Sequence, residues 1–202
     1  MESIILASAS ARRQELLRQI GVRFTVRSQD IDESIGQGEP AHDYVLRMAQ
    51  EKANSALAEL AANRDGEDTL VLAADTSVVC DAEVLGKPEG EADAVAMLML
   101  LSGREHRVLS AVTVASQTKQ RTRLSESRVN FREISPEEAQ RYYRSGEPQG
   151  KAGAYAIQGY GAVFVKQLHG SYSGVMGLPL YETAQLLGEF AVPMQTRDEG
   201  LS

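Results

Sequence analysis

The sequence predicts an α/β protein built on a mixed sheet. Short runs rich in Val, Ile, Leu and Ala alternate along the chain with segments of helical periodicity, which is typical of this class. Two consecutive extended segments, 108–115 and 123–134, are joined by a polar stretch, which predicts an antiparallel hairpin. A hairpin inside an alternating chain makes the sheet mixed rather than wholly parallel.

The predicted strands follow from apolar runs and alternating patterns. They cover 4–7, 23–27, 70–80, 108–115, 123–134 and 162–168. In the third of these, Asp75 and Thr76 interrupt the apolar run, so the pattern predicts either two strands or one strand bent at Asp75.

The predicted helices cover 11–20, 40–63, 89–101, 135–145 and 178–190. Ser135, Pro136 and Glu138 supply an N-cap, a first-turn proline and an N3 carboxylate, so they predict a helix start. The final residues, 191–202, predict a flexible C-terminal tail after a single domain over 1–190.

Composition narrows the function. A net charge of −7 over 202 residues opposes general binding to nucleic acid polymers or anionic membranes. Cys80 is the only cysteine, which excludes an intramolecular disulfide and a multi-cysteine zinc site. The apolar run before Arg12 is too short for a signal sequence or a membrane span, so we expect a cytoplasmic protein.

A phosphate site is predicted where the first strand meets the first helix, at Ser8–Arg13. Two hydroxyls, backbone N–H groups and two guanidiniums meet there at a helix N-terminus. Cations at this end oppose the helix dipole unless an anion is bound. The alternative is that Arg12 and Arg13 are solvated first-turn residues and that Ser10 is an ordinary N-cap.

Asp75 follows a buried apolar run, where a carboxylate needs a cation or a proton to balance its charge. It could hold a divalent metal or activate water, or it could form a turn. Asp30, Asp32 and Glu33 crowd three carboxylates into four residues, which suits either a hard cation or a solvated loop.

Two lysines could add positive charge to the phosphate site. Lys52 lies on the longest predicted helix, and Lys87 lies in the constrained turn Gly86–Pro88. Each could equally be surface charge. Together with the two arginines, they would match the negative charge of a triphosphate in an acidic protein.

Motifs in sequential order over 3–190 resemble those of the Maf family. They are Ser8–Arg13, Asp75-Thr76, Gly86–Pro88, Lys151–Gly159 and Ser171-Tyr172 with Gly177–Pro179. The resemblance implies an elongated mixed sheet flanked by helices, with two lobes around a central cleft, related to the inosine triphosphate pyrophosphatases. It also implies a homodimer and the metal-dependent cleavage of nucleoside triphosphates between the α- and β-phosphates, with Mg²⁺ or Mn²⁺ as the cofactor.

The same resemblance implies residue roles. Asp75 would be the catalytic proton acceptor, and Glu33 would join it near the metal. Residues that affect substrate choice would be Arg12, Thr76 and Gln158. Phosphate contacts would come from Ser8, Ser10, Arg13, Lys52 and Lys87. Ala11 stands where the family usually has proline, and Ala73-Ala74 where it usually has glycine, so the departures are small residues.

The segment Ala154–Gly159 resembles the family branch that acts on dTTP and UTP rather than the branch that acts on 7-methyl-GTP. We therefore expect hydrolysis of dTTP and UTP to the monophosphate and pyrophosphate. The alternatives are a pyrophosphatase for a modified purine triphosphate, and a nucleotide-binding regulator of septum formation without significant turnover.

Overall fold

A computed structural model describes residues 4–63 and 69–194. The strands are β1 Ile4–Leu6, β2 Phe24–Val26, β3 Val71–Cys80, β4 Glu83–Leu85, β5 Glu105–Ala115, β6 Gln120–Phe131 and β7 Val165–His169. The helices are α1 Ala11–Gln19, α2 Ala41–Ala62, α3 Glu91–Leu101, α4 Pro136–Arg144, α5 Tyr172–Met176 and α6 Leu180–Glu189. Two 3-10 turns cover Ala152–Ala154 and Tyr160–Phe164.

The strands form one seven-stranded sheet in the order β2-β1-β3-β5-β6-β7, with β4 paired to β3. β1 runs parallel to β2 and to β3, with Ile5 opposite Val71. β4 is antiparallel to β3, and β7 is antiparallel to β6. The predicted mixed α/β class is therefore confirmed.

Of the two alternatives for residues 70–80, the single strand is formed, and β3 continues through Asp75 and Thr76. Other predicted boundaries are wrong for identifiable reasons. The polar loop predicted at 116–122 shortens to a turn closed by the Ser116 N–H on the Lys119 carbonyl (2.8 Å), because polar residues 120–122 begin β6. The last predicted strand begins at Val165 rather than at residue 162, because a 3-10 turn precedes it.

Residue contacts group the chain into two compact units, and each is described by itself. The first contains 1–75, 111–124 and 177–202, and the second contains 76–110 and 125–176. The described part of the first unit has a core of β-strand and α2 side chains, including Ile5, Ala53 and Val71. The second has a larger core that includes Leu98 and Phe131.

Most of the predicted tail, 195–202, lies outside the described residues. Of the helices within 4–63 and 69–194, none combines the length and the apolar character that crossing a bilayer would require.

Candidate active site

The junction between β1 and α1 folds around the side chain of Arg13. Ser10 is extended and caps α1, with its Oγ accepting the Arg13 N–H at 3.4 Å. Ser8 Oγ accepts both the Ser10 N–H and Arg13 Nη1, each at 3.2 Å. Arg13 Nε donates to the Gly177 carbonyl at 2.8 Å. Both predicted serines thus contact Arg13 at a helix N-terminus, an arrangement suited to an anion.

Arg12 and Arg13, adjacent in sequence, have different surroundings. Arg12 Nη1 forms an ion pair with Glu15 Oε2 at 2.6 Å, between side chains that are 34% and 56% exposed. This pair lies one turn apart on the outside of α1 and contributes little to stability.

Lys52 is buried, so the alternative that it is plain surface charge is wrong. Its Nζ donates to Asp75 Oδ1 at 2.8 Å and lies 2.7 Å from Glu33 Oε1. Asp75 is also buried, at 9% exposure, and Lys52 compensates its charge as a carboxylate there requires. The structure therefore brings Glu33, Lys52 and Asp75 together, and the turn-forming alternative for Asp75 is wrong because β3 continues through it.

The loop that carries Glu33 is fixed to α2. Tyr44 Oη donates to the Glu33 carbonyl at 2.9 Å, and Arg47 Nη2 donates to the Ser34 carbonyl at 3.0 Å. Asp32 accepts the Ser34 N–H at 2.9 Å, which commits it to the loop itself. Within 4–63 and 69–194, no three His, Cys, Asp or Glu residues form a metal-binding group, so the three-carboxylate site at Asp30, Asp32 and Glu33 is not formed.

The charges of Asp75 and Glu33 affect the pKa values of two neighbouring side chains in the first unit. Burial lowers the pKa of Arg13, while the charges of Asp75 and Glu33 act in the opposite direction. Burial raises the pKa of Tyr44 to about 12, with Asp75 and Glu33 adding to the increase. Arg13 and Tyr44 therefore both experience the two carboxylates that Lys52 binds.

The second unit begins at Thr76, directly after Asp75. Thr76 Oγ1 lies 3.0 Å from Ser110 Oγ, and Ser110 Oγ donates to the Gly174 carbonyl at 2.6 Å. Ser110 is buried on β5 at 1% exposure. Thr76 is thus held by a buried hydroxyl that is itself fixed to the backbone.

Lys87 and Gln158 belong to neighbouring loops of the second unit. The Gly153 N–H donates to the Gly86 carbonyl at 3.0 Å and so ties the Lys87 turn to the first 3-10 turn. Gly153 has a φ of 66°, and a Cβ there would lie 2.9 Å from Val78 Cγ1, so a larger residue is excluded twice over. Gln158 follows, partly buried, between the two 3-10 turns. That Lys87 and Gln158 act on the same substrate as Asp75 stays a prediction.

Sequence reasoning missed the residues that support the site, notably Tyr44, Arg47 and Ser110. One available signal was spacing on α2, because Tyr44, Met48 and Lys52 recur at intervals of four and Met48 belongs to the core face. Ser110 had no such signal, since a serine inside a buried strand shows its partner only after the sheet is assembled.

Known proteins match this chain over nearly its whole length. A dTTP/UTP pyrophosphatase of Alkalilimnicola ehrlichii is 50% identical over 95% of both chains. One of Vibrio vulnificus is 49% identical over 94% of this chain and 100% of its own, and one of Saccharophagus degradans is 52% identical over 95% and 90%. The solved structure of the Staphylococcus aureus Ham1 protein matches 94% of this chain and 98% of its own, at 13% identity and a TM-score of 0.48. The Maf-like protein family matches residues 3–190, and with half of all positions shared with these relatives the chain belongs to that family.

Proposed function

We propose that the chain hydrolyses dTTP and UTP to the nucleoside monophosphate and pyrophosphate. The observation that carries the proposal is the buried carboxylate of Asp75, held 2.8 Å from Lys52 Nζ and close enough to Arg13 to affect its pKa. A carboxylate among cations suits a reaction that deprotonates water beside a chain of phosphates. The relatives named dTTP/UTP pyrophosphatase, at 49% to 52% identity, support the same substrates.

In the proposed reaction, Asp75 accepts a proton from a water that attacks the α-phosphorus in line with the leaving pyrophosphate. Lys52 occupies one oxygen of the Asp75 carboxylate, and a carboxylate has about four acceptor positions, so capacity for the water remains. Arg13, Lys52 and Lys87 bind phosphate oxygens, together with Ser8 and Ser10 at the N-terminus of α1. The products are the monophosphate and pyrophosphate, and Asp75 returns its proton to solvent.

Mg²⁺ or Mn²⁺ completes the proposal. Glu33 Oε1 and Asp75 Oδ1 lie 2.7 and 2.8 Å from Lys52 Nζ, so the two carboxylates lie close together on either side of one ammonium. Mg²⁺ is usually held through one or two carboxylates together with substrate phosphates, and this donor set fits that requirement. Glu33 and Asp75 would hold the ion, which would neutralise charge on the phosphates when bound.

Replacement of the proposed base tests the reaction. We expect Asp75→Asn to lower kcat at least about a hundredfold, the scale of losing a general base. Asp43→Asn, at an exposed position on α2, is the matched control. In water enriched in heavy oxygen, the label should enter the monophosphate. Turnover near wild type in Asp75→Asn, or label in the pyrophosphate, would contradict the mechanism.

Base selection is proposed for Gln158, Arg12 and Thr76. The Gln158 amide can offer a donor and an acceptor to a pyrimidine edge, and the wrong base would leave these groups unpaired. Gln158→Ala is expected to lower the ratio of kcat/KM for UTP over GTP, with exposed Gln149→Ala as the control. Assays with a panel of triphosphates that includes ITP and 7-methyl-GTP measure this ratio. An unchanged ratio would contradict a role for Gln158 in base selection.

We further propose that the protein works in the cytoplasm as a homodimer and binds no nucleic acid polymer. The net charge of −7 supports the exclusion of polyanions, and a single buried cysteine suits a reducing compartment. The dimer rests on the family resemblance alone. Light scattering after size-exclusion chromatography measures the mass of the particle, and a monomer at micromolar concentration would contradict the dimer.

A further inference from the structure

The segment that carries Gln158 is fixed by two side chains that precede it in the second unit. Tyr142, on α4, and Glu147, in the turn after it, are hydrogen-bonded to each other, Tyr142 Oη donating to Glu147 Oε1 at 2.6 Å. We infer that this pair, the Tyr142–Glu147 clamp, positions Gln158 for base selection. The inference deepens the proposed function and rests on it.

The backbone contacts of the clamp fall on both sides of Gln158. Upstream, the Ala156 N–H donates to Tyr142 Oη at 3.1 Å. Downstream, the N–H groups of Tyr160 and Gly161 donate to the two carboxylate oxygens of Glu147, each at 2.9 Å. The clamp therefore binds the backbone two residues before and two residues after Gln158. Gln158 itself lies in a stretch that is neither helix nor strand.

Two glycines allow the backbone to approach the clamp. A Cβ on Gly159 would lie 2.2 Å from Glu147 Oε2, and a Cβ on Gly161 would lie 2.6 Å from Tyr142 Oη. The φ of Gly159 is −115°, which any residue adopts, so close approach rather than backbone conformation requires glycine there. The glycines of this segment are thus explained by the clamp.

The protonation states of the clamp match its contacts. Burial, the largest influence, would raise the pKa of Glu147, but hydrogen bonds from Tyr142 and the two backbone N–H groups outweigh it and the pKa lies below its ordinary value. Burial raises the pKa of Tyr142, and the bond to Glu147 adds to this. At neutral pH the clamp is therefore a phenol donor and an ionised acceptor of three hydrogen bonds.

Two substitutions disrupt the clamp and leave Gln158 itself in place. Glu147→Gln keeps the shape but turns an NH₂ group toward backbone N–H donors, and Tyr142→Phe removes the acceptor of the Ala156 N–H. A misplacement of about 1 Å can cost as much as a hundredfold in rate, so we expect the ratio of kcat/KM for UTP over GTP to fall at least about tenfold. Tyr143→Phe, the adjacent residue on α4, and Glu83→Gln, an exposed glutamate on β4, are the controls.

A double-mutant cycle separates positioning of Gln158 from general damage. Glu147→Gln should change the UTP:GTP ratio in the wild-type background and leave it unchanged in a Gln158→Ala background. An unchanged ratio in the wild-type background, or an equal fall in both backgrounds, would overturn the inference.

Amide hydrogen exchange tests the clamp without reference to activity. Tyr142→Phe should accelerate exchange at Ala156, and Glu147→Gln should accelerate it at Tyr160 and Gly161, while exchange in β6 stays unchanged. Unchanged exchange at these amides would overturn the inference even in an active enzyme. Wild-type protein that cleaves no triphosphate would instead contradict the proposed function, whatever the exchange shows.

Discussion

At the scale of single residues, burial decides the chemistry of Lys52. The sequence shows only a lysine beside a glutamate on a long helix, a pattern equally typical of a solvated surface. In the structure its side chain is 10% exposed and its ammonium balances two carboxylates, one of which, on Asp75, is 12% exposed. Which face of α2 meets the sheet could be predicted from periodicity. The ion pair with Asp75 could not, because it forms only where the chain returns 23 residues later.

Loss of this ammonium is expected to affect both stability and activity. Lys52→Met leaves Asp75 without its counter-charge. We expect a loss of about 3 kcal/mol, at the low end for a buried pair because Glu33 is 44% exposed. The kcat should fall as well. Urea unfolding measures the stability, with exposed Lys166→Met as the control, and a loss equal to that of the control would contradict the assignment.

The buried imidazole of His106 makes the free energy of unfolding depend on pH. It is 2% exposed, with Nε2 2.9 Å from Tyr155 Oη, and burial lowers its pKa to about 4 from 6.5. The unfolded imidazole binds a proton at higher pH than the folded one, so its contribution is complete above 6.5 and is lost as pH falls toward about 4.

The slope from one such group is at most about 1.4 kcal/mol per pH unit. His106→Gln should flatten the fall in stability over this range, whereas exposed His169→Gln should not. Thermal unfolding at a series of pH values measures it, and identical slopes in wild type and His106→Gln would contradict the burial argument.

At the scale of elements, α2 organises the first unit. Its apolar period predicts a long helix, which covers 22 residues in the structure, and its polar face fixes the Glu33 loop through Tyr44 and Arg47. By contrast, β4 and α5 have three and five residues, too few for a period to be recognised. Short elements depend on partners elsewhere in the chain, and the sequence pattern does not contain those partners.

The hydrogen bond from Tyr44 to the Glu33 carbonyl yields a prediction for this element. Tyr44→Phe removes the bond and keeps the packing, so the loop should hold Glu33 less firmly. If Glu33 helps to hold the metal, the Mg²⁺ concentration for half-maximal activity should rise several-fold. Tyr181→Phe, at a tyrosine that is 70% exposed on α6, is the control. An unchanged dependence of activity on Mg²⁺ concentration would contradict a role for this loop in holding the metal.

At the scale of the whole molecule, sequence reasoning recovered the mixed sheet and most of the helices. Hydrophobic periods report which face of each element is buried, and that is sufficient for the class of fold. The motifs single out Asp75 and Arg13, which lie among charged groups in the structure, and their roles in a reaction stay a prediction. Supporting contacts such as those of Ser110 and Glu147 could not be predicted, because each joins segments far apart in sequence.

Ligand binding should stabilise the folded chain as a whole. A non-hydrolysable UTP analogue at about a hundred times its Kd adds about 2.7 kcal/mol. For a chain of 202 residues this corresponds to a rise in Tm of about 5–10 °C. The analogue with Mg²⁺ should raise the Tm more than either alone, and a GTP analogue should do less. Equal shifts from both nucleotides would contradict pyrimidine selection.

The hydrogen bonds around Thr76 decide whether its hydroxyl oxygen donates to a ligand or accepts from one. The Gly174 carbonyl can only accept, so the Ser110 hydroxyl donates to it. In the pair between the two hydroxyls, Thr76 is therefore the donor and Ser110 the acceptor. A ligand atom that reaches the Thr76 oxygen must therefore bring the hydrogen with it. Uracil and thymine carry one on ring nitrogen N3, whereas cytosine presents a bare lone pair there. Against this oxygen a uracil or thymine ring can donate from N3, whereas a cytosine ring has to turn so that its amino group donates instead.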